Sequence, residues 1–343
     1  MKRTRAAAKI QQQNTIENNK NDEETTPKID QTTSMVILNE RQKLNFKSLQ
    51  SQNSKNASDT SDPHITASSK KSKNNQKEPD MESSIKEEKL KPNTSPGKGK
   101  LRAVVDLQMM KKELSQLEDP PITPWEKELS SSRLQYKFYD IPCEELAQQL
   151  LGKVLVRYLE NGTILKGRIV ETEAYLGAID KACQTYQNKV TPRNLPMYMP
   201  PGTIYVYMTY GMYYCFNISS QGDGCAVLVR AVDPLEGTTY MADQRNVKRK
   251  IERNLKPHEL CNGPSKFCMA YQINKEHSRY SLCTWKGLWI EDDGAAGDFK
   301  IVKSARIGID SCGLEWASKL LRYYVYGNKS VSKKDKKAEM EIS

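Results

Sequence analysis

The chain has 343 residues, with 53 Lys and Arg against 42 Asp and Glu, for a formal net charge of +11. Length alone suggests about two domains, but the composition is lopsided: only Phe46 and Trp125 among the aromatics precede Leu134, and all eight cysteines lie from Cys143 onward. No apolar run is long enough to span a membrane, and no C-x-x-C pair or nearby histidines (only His64, His258 and His277) offer a zinc site.

Residues 1–133 are rich in Lys, Ser, Asn, Gln and Glu. Such a stretch cannot bury enough apolar surface to offset chain entropy, so it reads as a disordered polar and basic tail. Val104 to Leu117 alone has helical spacing there; a transient helix is expected, with a docking helix as the alternative. The N-terminus MKRTRAAAKIQQQN lacks a secretory apolar core. The clusters Lys2-Arg3-Thr4-Arg5 and Lys70-Lys71-Ser72-Lys73 suit nuclear import, with a mitochondrial signal as the second reading. Without a secretory signal the thiols are expected to be reduced. Basic residues exceed acidic ones in the tail and beyond it, which favours a nucleic-acid partner over a merely solvated surface.

The folded part is expected over 134–328, with a charged, frayed C-terminal tail at 329–343. Cys143 to Leu151 has helical apolar spacing and stops at Gly152. Lys153 to Leu159 reads as a strand, Asn161-Gly162 as a hairpin turn, and Ile164 to Tyr175 as the next strand. Alternation puts Ile169, Glu171, Glu173 and Tyr175 on one face of it. Two carboxylates beside an aromatic suit general acid/base work, with exposed strand-end charges as the alternative.

Thr191-Pro192-Arg193-Asn194 is a turn-like loop carrying one cation. Thr203 to Gly224 reads as a hairpin: Tyr205 and Tyr207 share a face, and Tyr210-Gly211 makes the turn. An aromatic on an exposed tip is a candidate wedge for a DNA groove; ordinary sheet packing is the alternative. Cys225 to Val232 is an apolar strand holding Arg230, a cation that must be paired or functional there. Glu236 to Lys256 is expected to be helical. Asn262-Gly263-Pro264-Ser265-Lys266 opens a helix through Ile273, where amides and Lys266 could hold a DNA phosphate or simply cap the helix. His277 to Asp298 is expected to be irregular, with Trp285 and Trp289 in the core. Ala305 to Ile309 is a late strand, and Leu321 to Tyr326 closes the sheet. No Walker-type loop or G-x-G-x-x-G appears, so no nucleotide cofactor is implied.

Five segments, in order, carry a resemblance: RIVETEAYLG from Arg168, TPRN from Thr191, PGTIYVYMTYGMYYCFNISSQGDG from Pro201, RAVDPLEG from Arg230 and GPSKFC from Gly263. Together they resemble the 3-methyladenine, or alkyladenine, DNA glycosylase family, from Phe138 to Tyr326. The resemblance implies an α+β fold: one compact domain with a curved, mainly antiparallel sheet, flanking helices and a protruding hairpin. It implies a monomer acting on double-stranded DNA without a metal or cofactor, removing alkylated or deaminated purines by hydrolysis of the N-glycosidic bond. By that resemblance Glu173 is the general base, Arg230 helps hold the attacking water, and the Ile307 backbone carbonyl joins it. Tyr210 fills the gap left by a flipped nucleotide, Tyr175 and Tyr207 sandwich the flipped base, and Asn217 excludes guanine. Met212 and Tyr213 line the groove.

The chemistry of the residues agrees with this. A damaged base must leave the stack at a cost of a few kcal/mol, and stacking on aromatic faces returns roughly 1–3 kcal/mol per base. No lysine stands at the nucleophile position, so no strand-nicking lyase step is expected. One departure stands out: where the family has a pocket histidine, nine residues after Tyr175, this chain has Gln184. Two alternatives remain beside the glycosylase: a catalytically impaired damage binder, and a nucleic-acid-binding module of another kind.

Overall fold

The computed structural model describes residues 43–44, 106–119, 121–247, 251–295 and 297–342, all within the unit Asn39–Ser343. The two basic clusters and most of the expected tail lie outside the described residues.

Helices α1 (Leu107–Leu114), α2 (Pro124–Leu129), α3 (Tyr136–Tyr139) and α4 (Cys143–Gln149) come first. Strands β1 (Val154–Tyr158), β2 (Ile164–Leu176), β3 (Ile204–Thr209), β4 (Tyr213–Ser219) and β5 (Cys225–Glu236) follow. Then come α5 (Thr238–Asn246), α6 (Pro257–Leu260), α7 (Pro264–Ala270), β6 (Leu288–Glu291), β7 (Ile301–Ser304), α8 (Leu314–Ala317), β8 (Arg322–Val325) and α9 (Lys336–Ile342). The fold is α+β around one antiparallel sheet, in the order β3-β4-β5-β2-β1-β6.

Strand β2 is the axis of this sheet. One of its edges pairs with β5 along nearly its whole length. Its other edge pairs first with β1 and then, from Glu171 to Glu173, with β8, which carries β7 on its far side. A strand so enclosed is buried on both faces, and from Ile169 to Ala174 no side chain is exposed. The main core lies where β2, β4 and β5 meet α4 and α7, and includes Leu146, Ile169, Ala174, Phe216, Val229, Phe267 and Tyr271.

A bulge interrupts β2 and overturns the expected alternation. Ile169 pairs with Val232 and Glu171 with Ala231, so Val170 is the extra residue; then Arg230 is skipped on β5 before Thr172 meets Val229. An extra residue shifts the side-chain parity. Ile169 therefore joins Ala174 in the main core, and Thr172 Oγ1 donates to the Ala147 carbonyl of α4. Glu171 and Glu173 are left on the other face.

Other expectations need correction. The boundary at 134 falls inside folded chain. Asp106 caps α1 through its side chain, Met110 of α1 is 1% exposed against Leu195, Tyr198 and Met199, and Arg133 bridges to Glu291. The 329–343 tail is not frayed throughout: Ser330 and Val331 are buried, and α9 follows against β7. The helix expected to Lys256 ends at Asn246 among the described residues, and the one expected to Ile273 ends at Ala270. His277 to Asp298 contains strand β6, with Trp285 and Trp289 buried as expected. The late strand is Ile301–Ser304; Arg306 instead turns inward to Asp180, and Gly308 bends the chain at φ +79°.

Candidate active site

Glu173 is fully buried on β2. Its Oε1 accepts the Ile307 backbone N–H at 2.8 Å and faces Arg230 Nη1 at 3.1 Å, while its Oε2 accepts the Tyr175 hydroxyl at 2.9 Å. An ionised carboxylate offers about four acceptor positions. Two are filled by hydrogen bonds and the Arg230 guanidinium faces a third, which leaves about one for a water proton. The structure thus brings Glu173, Tyr175, Arg230 and Ile307 together. Ile307 reaches Glu173 through its backbone N–H; the carbonyl expected to meet the water is a separate contact.

Arg230 reaches Glu173 from the bulge on β5, where its side chain is 10% exposed. Its Nε also donates to Glu171 Oε1 at 3.1 Å. Burial works against the guanidinium charge, but Glu173 and Glu171 outweigh it and hold Arg230 above its ordinary value. Burial, and then the Glu173 charge, pushes the Tyr175 phenol well above its usual range, so it stays protonated and donates.

Tyr175 and Tyr207 pack, half-buried, against one cluster of Cys183, Met197, Tyr205 and Ala226. The Arg306 guanidinium lies 4.7 Å from the Tyr175 ring centroid, and that of Arg193 lies 5.4 Å from the Tyr207 ring. Such cation–π contacts hold rings in place. Asn217 of β4 is 4% exposed, and its carboxamide donates to the Tyr205 and Cys215 carbonyls. Cys215 faces Tyr207 across the hairpin, and burial raises its thiol.

The segment after β2 is tied down at several points. Asp180, fully buried, accepts from the Leu176 and Ala182 amides and pairs with both terminal nitrogens of Arg306 at 2.5 and 2.9 Å. Thr185 donates to the Gly224 carbonyl, where a Cβ on Gly224 would lie 2.8 Å from Thr185 Oγ1. Asn194 accepts from the Thr191 amide and hydroxyl and donates to the Gln184 and Lys189 carbonyls. Gln184 is exposed, next to the buried Cys183 of the aromatic cluster.

At the hairpin tip Tyr210 is 86% exposed and has φ +51°. A left-handed backbone costs a non-glycine residue roughly 1–2 kcal/mol, and such strain collects at functional positions. Gly211 follows at φ +69°, with open space around it, and the Met212 amide closes the turn on Thr209. Arg193 braces one side of the hairpin by donating to the Met208 carbonyl. On the other side Met212 and Tyr213 share a cleft of about 1140 Å³ with Ser265 and Lys266. Lys266 donates to Asn262, and Gly263 stands at the start of α7 without a side-chain cap.

Sequence reasoning missed two buried pairs, Asp180–Arg306 and Glu171–Arg322. Two signals were legible: Arg306 stands beside Ile307, and Glu171 lies two residues before Glu173.

The sequence model described as methylpurine-DNA glycosylase matches residues 137–329, more than half of the chain. A human protein named DNA-3-methyladenine glycosylase is 49% identical over 213 residues, covering 61% of this chain and 71% of its own. Its mouse counterpart is 49% identical over 213 residues and 64% of its own length. A putative 3-methyladenine DNA glycosylase from Clostridium perfringens is 46% identical over its entire length and 59% of this chain. The chain belongs to the methylpurine-DNA glycosylase family and is a DNA glycosylase.

Proposed function

We propose that the protein removes alkylated or deaminated purines from duplex DNA by hydrolysing the N-glycosidic bond, without a lyase step. The observation that carries this reading is Glu173: a buried carboxylate anchored by three contacts, with about one acceptor position left. Water bound there attacks the sugar's anomeric carbon and passes its proton to Glu173. The glycosidic electron pair leaves with the purine, and Arg230 balances the charge of the carboxylate in a site of low dielectric.

The exposed, strained Tyr210 suits the gap of an extruded nucleotide, with Met212 and Tyr213 beside it in the groove. Tyr175 and Tyr207 supply stacking faces, Asn217, buried on β4 opposite Tyr205, crowds a guanine amino group, and Gln184, exposed beside Cys183, contacts the base. Thr191, Arg193, Gly263, Ser265 and Lys266 flank the hairpin where phosphates would pass. Gln184 does not titrate as an imidazole would. Methylated purines, whose glycosidic bonds are already activated, are therefore the favoured substrates over hypoxanthine and ethenoadenine. The protein acts as a monomer in the nucleus, directed by the basic clusters of its N-terminal segment.

The test is release of free base from a methylated duplex and from duplexes holding one hypoxanthine or ethenoadenine. Release by wild type, with binding but no release by Glu173→Gln, supports the reading. Binding without release by wild type leaves a damage binder, and unaltered excision by Glu173→Gln removes the base assignment.

A further inference from the structure

Glu171 and Arg322 are both buried, and neither has a part in the chemistry proposed for Glu173. Glu171 Oε1 accepts from Arg230 Nε at 3.1 Å and from Arg322 Nη1 at 2.8 Å. Arg230 Nη1 in turn faces Glu173 Oε1 at 3.1 Å. The four groups form an alternating line of charge, Glu173–Arg230–Glu171–Arg322, at the joint of β2, β5 and β8. The other oxygen of Glu171 is buried and has no hydrogen-bond partner among the described residues, so one oxygen takes both guanidinium contacts.

A guanidinium beside a lone carboxylate tends to bind it with two parallel N–H bonds. That arrangement on Glu173 would fill its last acceptor position. Glu171 holds Arg230 by Nε, so that Nη1 alone meets Glu173. Arg322 acts on Glu173 by a second route. Its Nε donates to the Ala305 carbonyl at 2.9 Å and its Nη2 to Ser304 Oγ at 3.1 Å. These contacts fix the segment that delivers the Ile307 N–H to Glu173 Oε1. The Lys333 carbonyl accepts from Arg322 Nη1, and Asp335 accepts from Ser304 Oγ. Chain beyond residue 329, outside the family match, therefore closes the network.

We infer that Glu171 and Arg322 are positioning residues for excision, holding Arg230 and the Ile307 amide in the geometry that keeps one acceptor of Glu173 open. The inference rests on Glu173 being the general base. A buried ion pair that served stability alone would have the same burial, so the test separates rate from binding and folding. Base release from methylated duplex DNA is measured in single turnover for the full chain and for Glu173→Gln, Glu171→Gln, Arg322→Lys and Arg322→Met. The maximal rate, the half-saturating enzyme concentration and the melting temperature are read for each.

Small displacements at a reacting centre cost up to about a hundredfold in rate. The maximal rate should fall on the order of ten- to a hundredfold in Glu171→Gln and Arg322→Met, with half-saturation within about threefold of wild type. Arg322→Lys should recover part of the loss, since it keeps the charge and one donor. Full maximal rates in Glu171→Gln and Arg322→Met, while Glu173→Gln is inactive, would overturn the inference and leave the base assignment standing. Losses that follow the melting temperature and are as large in half-saturation as in rate would also overturn it, by making the pair structural. A fully active Glu173→Gln would instead remove the base assignment on which the inference rests.

Discussion

The Tyr175 hydroxyl donates to Glu173 Oε2 at 2.9 Å, joining the proposed stacking residue to the proposed general base. Both lie beyond the bulge of β2, two residues apart on one face. Tyr175→Phe keeps the ring and removes the donor. A hydrogen bond to a charged group is worth about 1.5–3 kcal/mol. Single-turnover excision should fall roughly tenfold or more, with lesion binding unchanged. Weaker binding at an unchanged maximal rate would show that the hydroxyl serves the base and not Glu173.

Tyr210→Ala should leave the melting temperature within about a degree of wild type, because the side chain is exposed and its backbone strain is local. Tyr210→Gly should raise stability slightly, since glycine accepts φ +51° freely. If Tyr210 is the proposed wedge, both variants should bind lesion duplexes more weakly. A cooperative loss of stability in Tyr210→Ala would contradict the exposed tip.

The α1 helix gives a prediction that composition alone would miss. Met110 is buried against Leu195, Tyr198 and Met199, and Lys111 pairs with Asp223 at 2.7 Å. Leu195, Tyr198 and Met199 lie just after the Thr191 to Asn194 loop. Truncation of residues 1–39 should leave both folding and excision intact. Truncation of residues 1–117 should lower the melting temperature and make the 184–194 segment sensitive to protease. Met110→Asp in the full chain should reproduce that sensitivity, because it places a charge where a methionine is buried. Equal protease patterns in wild type and Met110→Asp would show that α1 does not support the loop.

His277 predicts an acid-sensitive fold. Its Nε2 lies 3.0 Å from Arg157 Nη2, and burial first, then the Arg157 charge, lowers it to about 3. Arginine can only donate, so Nε2 accepts and the ring is neutral. The unfolded chain takes up a proton near pH 6.5 while the folded chain does not, so stability is full above that value and is lost as pH falls toward 3. At pH 5 the loss is about 1–2 kcal/mol. The fall in melting temperature between pH 7 and 5 should be smaller in His277→Asn than in wild type. Equal slopes would place the acid sensitivity elsewhere.

Much of the site follows from residues near one another along the chain. Asn161-Gly162 and Tyr210-Gly211 mark turns by their own backbone preferences, and the β-branched and aromatic runs around them make strands whatever they later meet. Hence the hairpin, its exposed tyrosine and the central strand are legible without coordinates, and the matching segments bring Glu173, Arg230 and Asn217 with them. Tertiary structure decided the rest. Alternation predicts Ile169 beside Glu173, but the bulge at Val170 reverses that parity, and a bulge depends on how two strands pair. Arg322 lies 151 residues from Glu171, and Arg306 lies 126 from Asp180. Proximity to Ile307 and Glu173 marks Arg306 and Glu171, but nothing local names their partners, because a buried charge is tolerated only where a distant partner meets it. The same reasoning covers α1: a short amphipathic helix is marginal alone, and only the face formed by Leu195, Tyr198 and Met199 makes it part of the fold.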